Sequence, residues 1–493
     1  MNSDKLYSKC PRVGLVSLGC SKNAVDSEIL LGELKSRGFD IVNDAAQAEI
    51  IIVNTCGFIE SAKTDSIDTI LDMAQYKTAG SCKLLVVTGC LSQRYGDELA
   101  RELPEVDVFN GVKNYPALAE RLAEICGVEP APESANAAAC CGIPKRLLTT
   151  PSYRAYLRIA DGCDNRCTYC AIPLIRGGRV STPMETLLAE AEQLAESGVT
   201  ELTVIAQDTS AYGIDLYGKP MLRELLEKLT EIEGLHWVRV LYAYPNTVTE
   251  ELVDAMYRNP KICNYIDIPI QHISAHMLRD MNRHGSAEHI REITDYIRRS
   301  APGFILRTTV MLGFPGETEA DFDELMHFMA EHPFDRVGAF TYSAEDGTPA
   351  ASMPNAVDAE TAEQRLDRLM RQQMKISLEL NRARIGTVVE ALVDGADEEF
   401  LFCRSYAEAA DVDGIIKVPH CGNPVPAGSY VSIKITGADY YDLCGELVPS
   451  LKLPHGKPAP PLKYCYAGSR RRPLKRLCGE PAPPLKTVTE KQK

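Results

Sequence analysis

Three cysteines sit close together in the stretch Asp-Gly-Cys163-Asp-Asn-Arg-Cys167-Thr-Tyr-Cys170-Ala-Ile-Pro, with the spacing C-x3-C-x2-C. The loop is made of small and polar residues and follows a short apolar run, Ala155 to Ile159. Thiolates this near in one loop can all face a single iron–sulfur cluster. A four-iron cluster ordinarily takes four cysteine ligands, and no Cys or His lies between Cys170 and His236. One iron is thereby left open to bind a substrate or cofactor, which turns an electron carrier into a catalyst. Other chemistries compete. A closed zinc site needs a fourth ligand, which Cys140 or Cys141 could supply by folding back. Cys167 and Cys170 alone read as a C-x-x-C redox pair, which leaves Cys163 idle. Ordinary buried cysteines have no reason to adopt this spacing.

A second triad emerges from the elements that must position it. Residues 11–126 alternate strand and helix: Val13–Leu18, Glu49–Val53 and Leu84–Val87 read as buried strands, with helical spacing between them. That alternation predicts a Rossmann-like parallel sheet. Cys20, Cys56 and Cys90 each follow one of the strands. The carboxyl ends of parallel strands share one edge, so residues about 35 apart in sequence converge there. Gly19, Gly57 and Gly89 adjoin these cysteines and permit close backbone approach. Three cysteines at equivalent positions predict a second cluster site, whereas Cys10, Cys82 and Cys126 read as structural.

Residues 151–378 repeat the alternation six times, which predicts an open (β/α)6 barrel with functional loops at the carboxyl ends of its strands. The Cys163 loop follows the first strand. Gln207-Asp208, Gln271-His272 and Gly313-Phe-Pro-Gly-Glu-Thr318 end others, and His272 is by position the leading functional histidine. The Gly313–Thr318 stretch lacks the G-K-[ST] ending of a phosphate loop. It reads either as a turn into a helix capped near Thr318 or as a cofactor-facing loop. Residues 127–150, rich in Pro, Ala and Ser, read as a linker. Residues 379–449 form short β-runs between Gly, Asp and Pro turns, predicting a small oligonucleotide-binding-type barrel. The stretch Glu379–Glu446 holds twelve Asp/Glu against five Lys/Arg, a field that repels phosphate. Residues 450–493 carry PAPPLK twice and a basic excess, predicting a disordered tail with at most a weak hold on RNA.

The 493 residues suffice for three domains, and 45% hydrophobic with 25% charged residues is an ordinary globular composition. No apolar run approaches a membrane span, and the N-terminus lacks a signal-peptide core. Seventeen cysteines without an export signal predict a reducing, cytoplasmic setting where thiols serve metals. A net charge of −15 argues against the whole chain sitting on nucleic acid.

Together these features resemble the methylthiotransferases of the radical S-adenosylmethionine (SAM) superfamily, over residues 11–449. Their architecture is an N-terminal cluster domain, a radical-SAM barrel and a C-terminal TRAM barrel. The resemblance is carried by VSLGCSKNAVDSE (Val16–Glu28), AIPLIRGGRVS (Ala171–Ser181), AQDTSAYG (Ala206–Gly213), YIDIPIQHIS (Tyr265–Ser274) and RSYAEAADVDG (Arg404–Gly414). Arg176-Gly-Gly-Arg179 departs slightly from the family pattern. The resemblance implies two [4Fe-4S] clusters and SAM as cofactors. Cys163, Cys167 and Cys170 would hold the cluster that cleaves SAM to a 5′-deoxyadenosyl radical, with the aromatic Tyr169 beside SAM. Cys20, Cys56 and Cys90 would hold the cluster that carries the sulfur, methylated by another SAM. The segments resemble the branch that methylthiolates the β-carbon of an aspartate in small-subunit ribosomal protein twelve, at the decoding centre. That carbon is too weakly acidic for a side-chain base, which explains a radical route. An acidic TRAM barrel suits a basic ribosomal protein better than tRNA. Methylthiolation of a tRNA adenosine is the alternative, and a non-catalytic iron–sulfur protein leaves a SAM-type loop unexplained. An electron donor is required as a further partner; a membrane is not.

Overall fold

The computed structural model describes residues 7–128, 143–420, 422 and 424–449. Cys140, Cys141 and the basic tail lie outside them. The chain forms two compact units that divide between Met370 and Arg371.

The first unit contains two parallel sheets. In the N-terminal sheet, Ile50–Thr55 and Leu84–Gly89 are buried along their whole length, as befits central parallel strands covered on both faces. Arg12–Ser17 pairs with Ile50–Thr55 on one side and with the two-residue strand Asp40–Ile41 on the other. Val108–Phe109 closes the far edge beside Leu84–Gly89. In sequence order the strands lie 2-1-3-4-5, so the topology is flavodoxin-like, with its order reversing between Arg12–Ser17 and Ile50–Thr55. The two short edge strands escape sequence reading because two residues show no period.

Helix Ser21–Ser36 packs Leu30 and Leu34 against Ile50 and Ile52 of this sheet. Its first turns also bury Asn23 and Ser27, which bond the Thr55 carbonyl and Asn54 of the same sheet, together with Asp26 and Glu28. Glu28 is covered because residues 143–150, part of the expected linker, run across it as a strap. The Leu147 amide donates to the Glu28 carbonyl at 3.0 Å, and Arg146 bridges Glu28 and Glu190, each at 2.5 Å. A Cβ on Gly32 would lie 2.4 Å from the Lys145 carbonyl oxygen, so the helix admits the strap only at a glycine.

The second sheet runs Arg154–Arg158, Glu201–Ile205, Trp237–Val240, Ile262–Asp267, Ile305–Leu312 and Arg336–Thr341, all parallel and in sequence order. It is an open sheet of the expected (β/α)6 kind. Its helices present apolar stripes to it, as Leu222, Leu225, Leu226 and Leu229 do from helix Leu222–Leu229.

In the second unit, Val388–Ala396, Phe400–Ser405, Ile416–Pro419, Tyr430–Ala438 and Leu443–Leu447 close into a small barrel. The RSYAEAADVDG segment is built into its turn. Glu408 is buried and accepts from the Ser405 amide at 3.0 Å, the Ser405 hydroxyl at 2.6 Å and Arg384 at 2.5 Å. Helix Ala359–Ala383 runs through residue 378, so the expected domain boundary there falls inside a helix.

Candidate active site

The N-terminal cysteines occupy corresponding places. Cys20 precedes helix Ser21–Ser36, Cys56 follows strand Ile50–Thr55, and Cys90 begins helix Cys90–Glu102 directly after strand Leu84–Gly89. The glycines interlock these three loops. A Cβ on Gly19 would stand 3.1 Å from Cys56 Sγ, and one on Gly57 would stand 2.6 Å from Leu91 Cα. Gly89, at φ +100°, would meet the Thr55 carbonyl at 2.4 Å.

The second triad lies on a loop pinched at its base by an antiparallel ribbon, Ala160–Asp161 with Val180–Ser181. Gly162, at φ +72°, brings the two sides so close that a Cβ would lie 2.1 Å from the Gly178 carbonyl. The Cys163 amide donates to Gly177 O at 3.1 Å, and the Cys170 amide to Cys167 O at 3.0 Å. From outside, Thr168 anchors the loop by its amide to Met281 O and its hydroxyl to Asp280 O.

All six cysteines line one cavity of about 320 Å³. It lies where the carboxyl edge of the N-terminal sheet faces the mouth of the open barrel. Cys90 and Cys167 are buried, Cys20 is exposed, and the other three are intermediate. Burial pushes the thiols of Cys90 and Cys170 up to about 12 and that of Cys163 to about 11, and it raises Cys56 as well. Such thiols ionise readily only beside a bound metal, which deprotonates a coordinating thiol outright. Among the described residues no three His, Cys, Asp or Glu are grouped to hold a single metal ion. A four-iron cluster takes each thiolate at a different iron, so its ligands need not converge on one point.

Each triad has one guanidinium against a sulfur. Arg176, on the cluster loop, lies 3.8 Å from Cys90 Sγ across the cavity. It also donates to Asn23 Oδ1 at 2.9 Å, Asp26 Oδ2 at 2.7 Å and Asp161 Oδ1 at 3.1 Å. Arg158 adds a second guanidinium on Asp26. Arg283 lies 3.7 Å from Cys167 Sγ and 3.4 Å from the Tyr169 hydroxyl, and stacks on Tyr244 at 4.0 Å. Tyr169 lines the cavity, with its ring edge-on to Phe314 at 6.5 Å. Two acceptors in the lining, Gln207 Oε1 and Gln271 Oε1, are buried without a hydrogen-bond partner among the described residues. They suit a bound molecule that brings ammonium or hydroxyl donors, as SAM does.

Some residues singled out by position stand elsewhere. His272 is fully buried outside the cavity lining. Its Nδ1 accepts from the amides of Ile273 and Ser274 at 3.0 Å, and its Nε2 faces Glu317 at 3.3 Å, so it is a structural histidine. The Gly313–Thr318 stretch proves to be a turn into a helix, with Thr318 and Asp321 forming a reciprocal capping box. Asp208 braces the cluster loop from behind through Asn165 at 2.8 Å. Sequence reading misses Lys22, Asn23, Tyr242, Tyr244 and Arg283, which come to the lining from separate elements. Only Lys22 and Asn23 carried a signal, by following Cys20.

Three family models match the chain: the uncharacterized protein family UPF0004 over residues 12–111, the radical SAM superfamily over 157–329 and the TRAM domain over 385–448. A ribosomal protein uS12 methylthiotransferase RimO from Citrifermentans bemidjiense is 48% identical, over 89% of this chain and 98% of its own length. The protein of the same name from Clostridioides difficile is 47% identical, over 89% and 99%. Among solved structures, the radical SAM methyltransferase TsrM from Kitasatospora setae with cobalamin and a [4Fe-4S] cluster has a TM-score of 0.51 at 14% identity, covering 69% of this chain and 74% of its own. That likeness concerns the fold alone. Radical SAM membership brings with it SAM and a [4Fe-4S] cluster. With relatives this similar along most of its length, the chain belongs to the RimO family of ribosomal protein uS12 methylthiotransferases.

Proposed function

We infer that this chain methylthiolates the β-carbon of an aspartate in ribosomal protein uS12, with one [4Fe-4S] cluster on Cys163, Cys167 and Cys170 and a second on Cys20, Cys56 and Cys90. The observation that carries this reading is the single cavity lined by both triads. Sulfur held at one triad and a substrate carbon activated at the other must meet, and a shared enclosure permits that without release into water. The cluster and SAM would supply the hydrogen-abstracting chemistry, which no side chain here can.

The chain's own residues hold the geometry. Arg176 reaches from the barrel loop to Asn23 and Asp26, cross-bracing the triads. Gln207 and Gln271 offer acceptors to SAM, and Tyr169 with Arg283 backs the Cys167 side. A low-potential one-electron donor completes the system. Among the described residues no helix is long and apolar enough to cross a membrane. The acidic excess of residues 379–446 disfavours the tRNA alternative.

The test is anaerobic incubation of the iron- and sulfide-reconstituted full chain with SAM, reductant and uS12, followed by mass spectrometry. The expected result is one methylthio group on an aspartate of uS12 and none on tRNA offered in parallel. Modified tRNA with unmodified uS12 overturns the assignment. Reconstitution should give about eight irons per chain, falling by half when Cys20, Cys56 and Cys90 are replaced by Ala. Full iron retained in that variant would remove the second cluster.

A further inference from the structure

The cavity holds three cationic side chains, and they differ in what they already have. Arg176 is engaged by two carboxylates, Asp26 and Asp161. Arg283 is engaged by Cys167 Sγ, the Tyr169 hydroxyl and the Pro269 carbonyl. Lys22 has neither kind of partner among the described residues. Its Nζ rests 3.0 Å from the centroid of the Tyr242 ring, and the residue is only 8% exposed.

A tyrosine face attracts a desolvated cation only modestly. Removing an ammonium from water costs far more than that attraction returns. Lys22 is therefore a site prepared for an anion. Its surroundings are held in place for the purpose. Tyr242 adopts φ +65° just beyond strand Trp237–Val240, and its hydroxyl lies 3.3 Å from Ser21 Oγ. Lys22 itself lies in the first turn of helix Ser21–Ser36, which has no acidic residue in that turn to satisfy it.

Each cysteine triad already has its own guanidinium, Arg176 at Cys90 and Arg283 at Cys167. Lys22 is the cation left over. The proposed function brings two carboxylates into the cavity, that of SAM, which the open iron of the barrel cluster would take, and that of the target side chain, which has no partner yet. We propose that Lys22 receives that carboxylate, so that it selects an acidic side chain and presents its neighbouring methylene to the space between the triads. This assignment rests on the proposed function and deepens it.

The test pairs enzyme and substrate variants on the reconstituted full chain. Equilibrium binding and methylthiolation are measured for uS12 and for uS12 with its target aspartate changed to asparagine, using wild type, K22M and K22R. Wild type should prefer the aspartate form by roughly tenfold to a hundredfold, the worth of one charge-assisted hydrogen bond. K22M should lose that preference and K22R should keep most of it. Binding is read without turnover, so an inactive K22M still reports. Equal weakening of both substrates by K22M, with the preference kept, overturns the assignment and marks Lys22 as structural. A kept preference with a changed cluster spectrum or weaker SAM binding also overturns it, and gives Lys22 to a cofactor instead. Failure of wild type to bind or modify uS12 at all overturns the proposed function, and this assignment with it.

Discussion

Arg176 bonds to the buried Asp26 and the half-buried Asp161 while reaching a sulfur of the opposite triad, so its removal takes a partner from a carboxylate that has little access to water. Breaking a buried pair from one side typically costs about 3–5 kcal/mol, because the remaining charge has no solvent to return to. R176M should therefore lower the melting temperature of the cluster-free protein by several degrees. R176K should recover only part, since a single ammonium cannot fork between two acids. Unchanged melting in R176M would show that Arg158 alone satisfies Asp26. Glu49 makes a second residue-scale case. Burial acts to raise its carboxyl, but hydrogen bonds from Ser8, Lys83 and Arg12 outweigh it and hold the group at about 2, below its ordinary 4.5. A depressed folded value means the contribution is complete above the unfolded value and is lost as pH falls towards 2. Urea titrations of wild type and E49Q should thus diverge above about pH 4.5 and converge in acid. Parallel curves across that range would contradict it.

The junctions where strands end, rather than the bodies of the elements, fix where the thiols stand. Gly89 and Gly162 both have positive φ, and both press against carbonyl oxygens that cannot move aside. G89A should lose iron from the N-terminal triad and G162A from the barrel triad, each by about half, with the helical content of the chain little changed. Iron analysis beside circular dichroism checks this, and full iron in both variants would refute it. Away from the cavity, Thr318→Ala should cost about 1 kcal/mol, the value of one N-cap, without altering iron content. The cysteines were legible because their spacing and their places after strands are local facts. So were the long buried strands such as Ile50–Thr55. Phe400–Ser405 and Leu443–Leu447 are harder to read because strands of six and five residues show too few alternations to mark a two-residue period; the bulges of the barrel lie on their partners, Val388–Ala396 and Tyr430–Ala438. Arg283 and Tyr244 were invisible for another reason: their approach to Cys167 depends on how separate strand ends and loops come together. His272 misled because position at a strand end does not say which way a ring turns.

For the molecule as a whole, charge is the property that bears on partners. Among the acidic residues of the second unit, Asp397 caps its own turn by accepting from the Glu399 and Phe400 amides, and Asp413 accepts from the Ala409 amide. Glu398 and Glu399 are exposed, and among the described residues no side-chain bond ties them to the barrel. They are the cleaner probes of a basic partner. E398K/E399K should slow association with uS12 a few-fold at low salt and flatten its salt dependence, without changing SAM cleavage. Faster association would mean that this face does not meet the partner. The first unit carries a different consequence. A room whose walls belong to two sheets has no interior until both sheets have closed on it. Its contents must be installed either before that closure or afterwards through whatever opening remains, and Cys20 is the one exposed thiol of the six. Assembly and repair would then share a doorway with oxygen, and the doorway nearest a thiol is the Cys20 side.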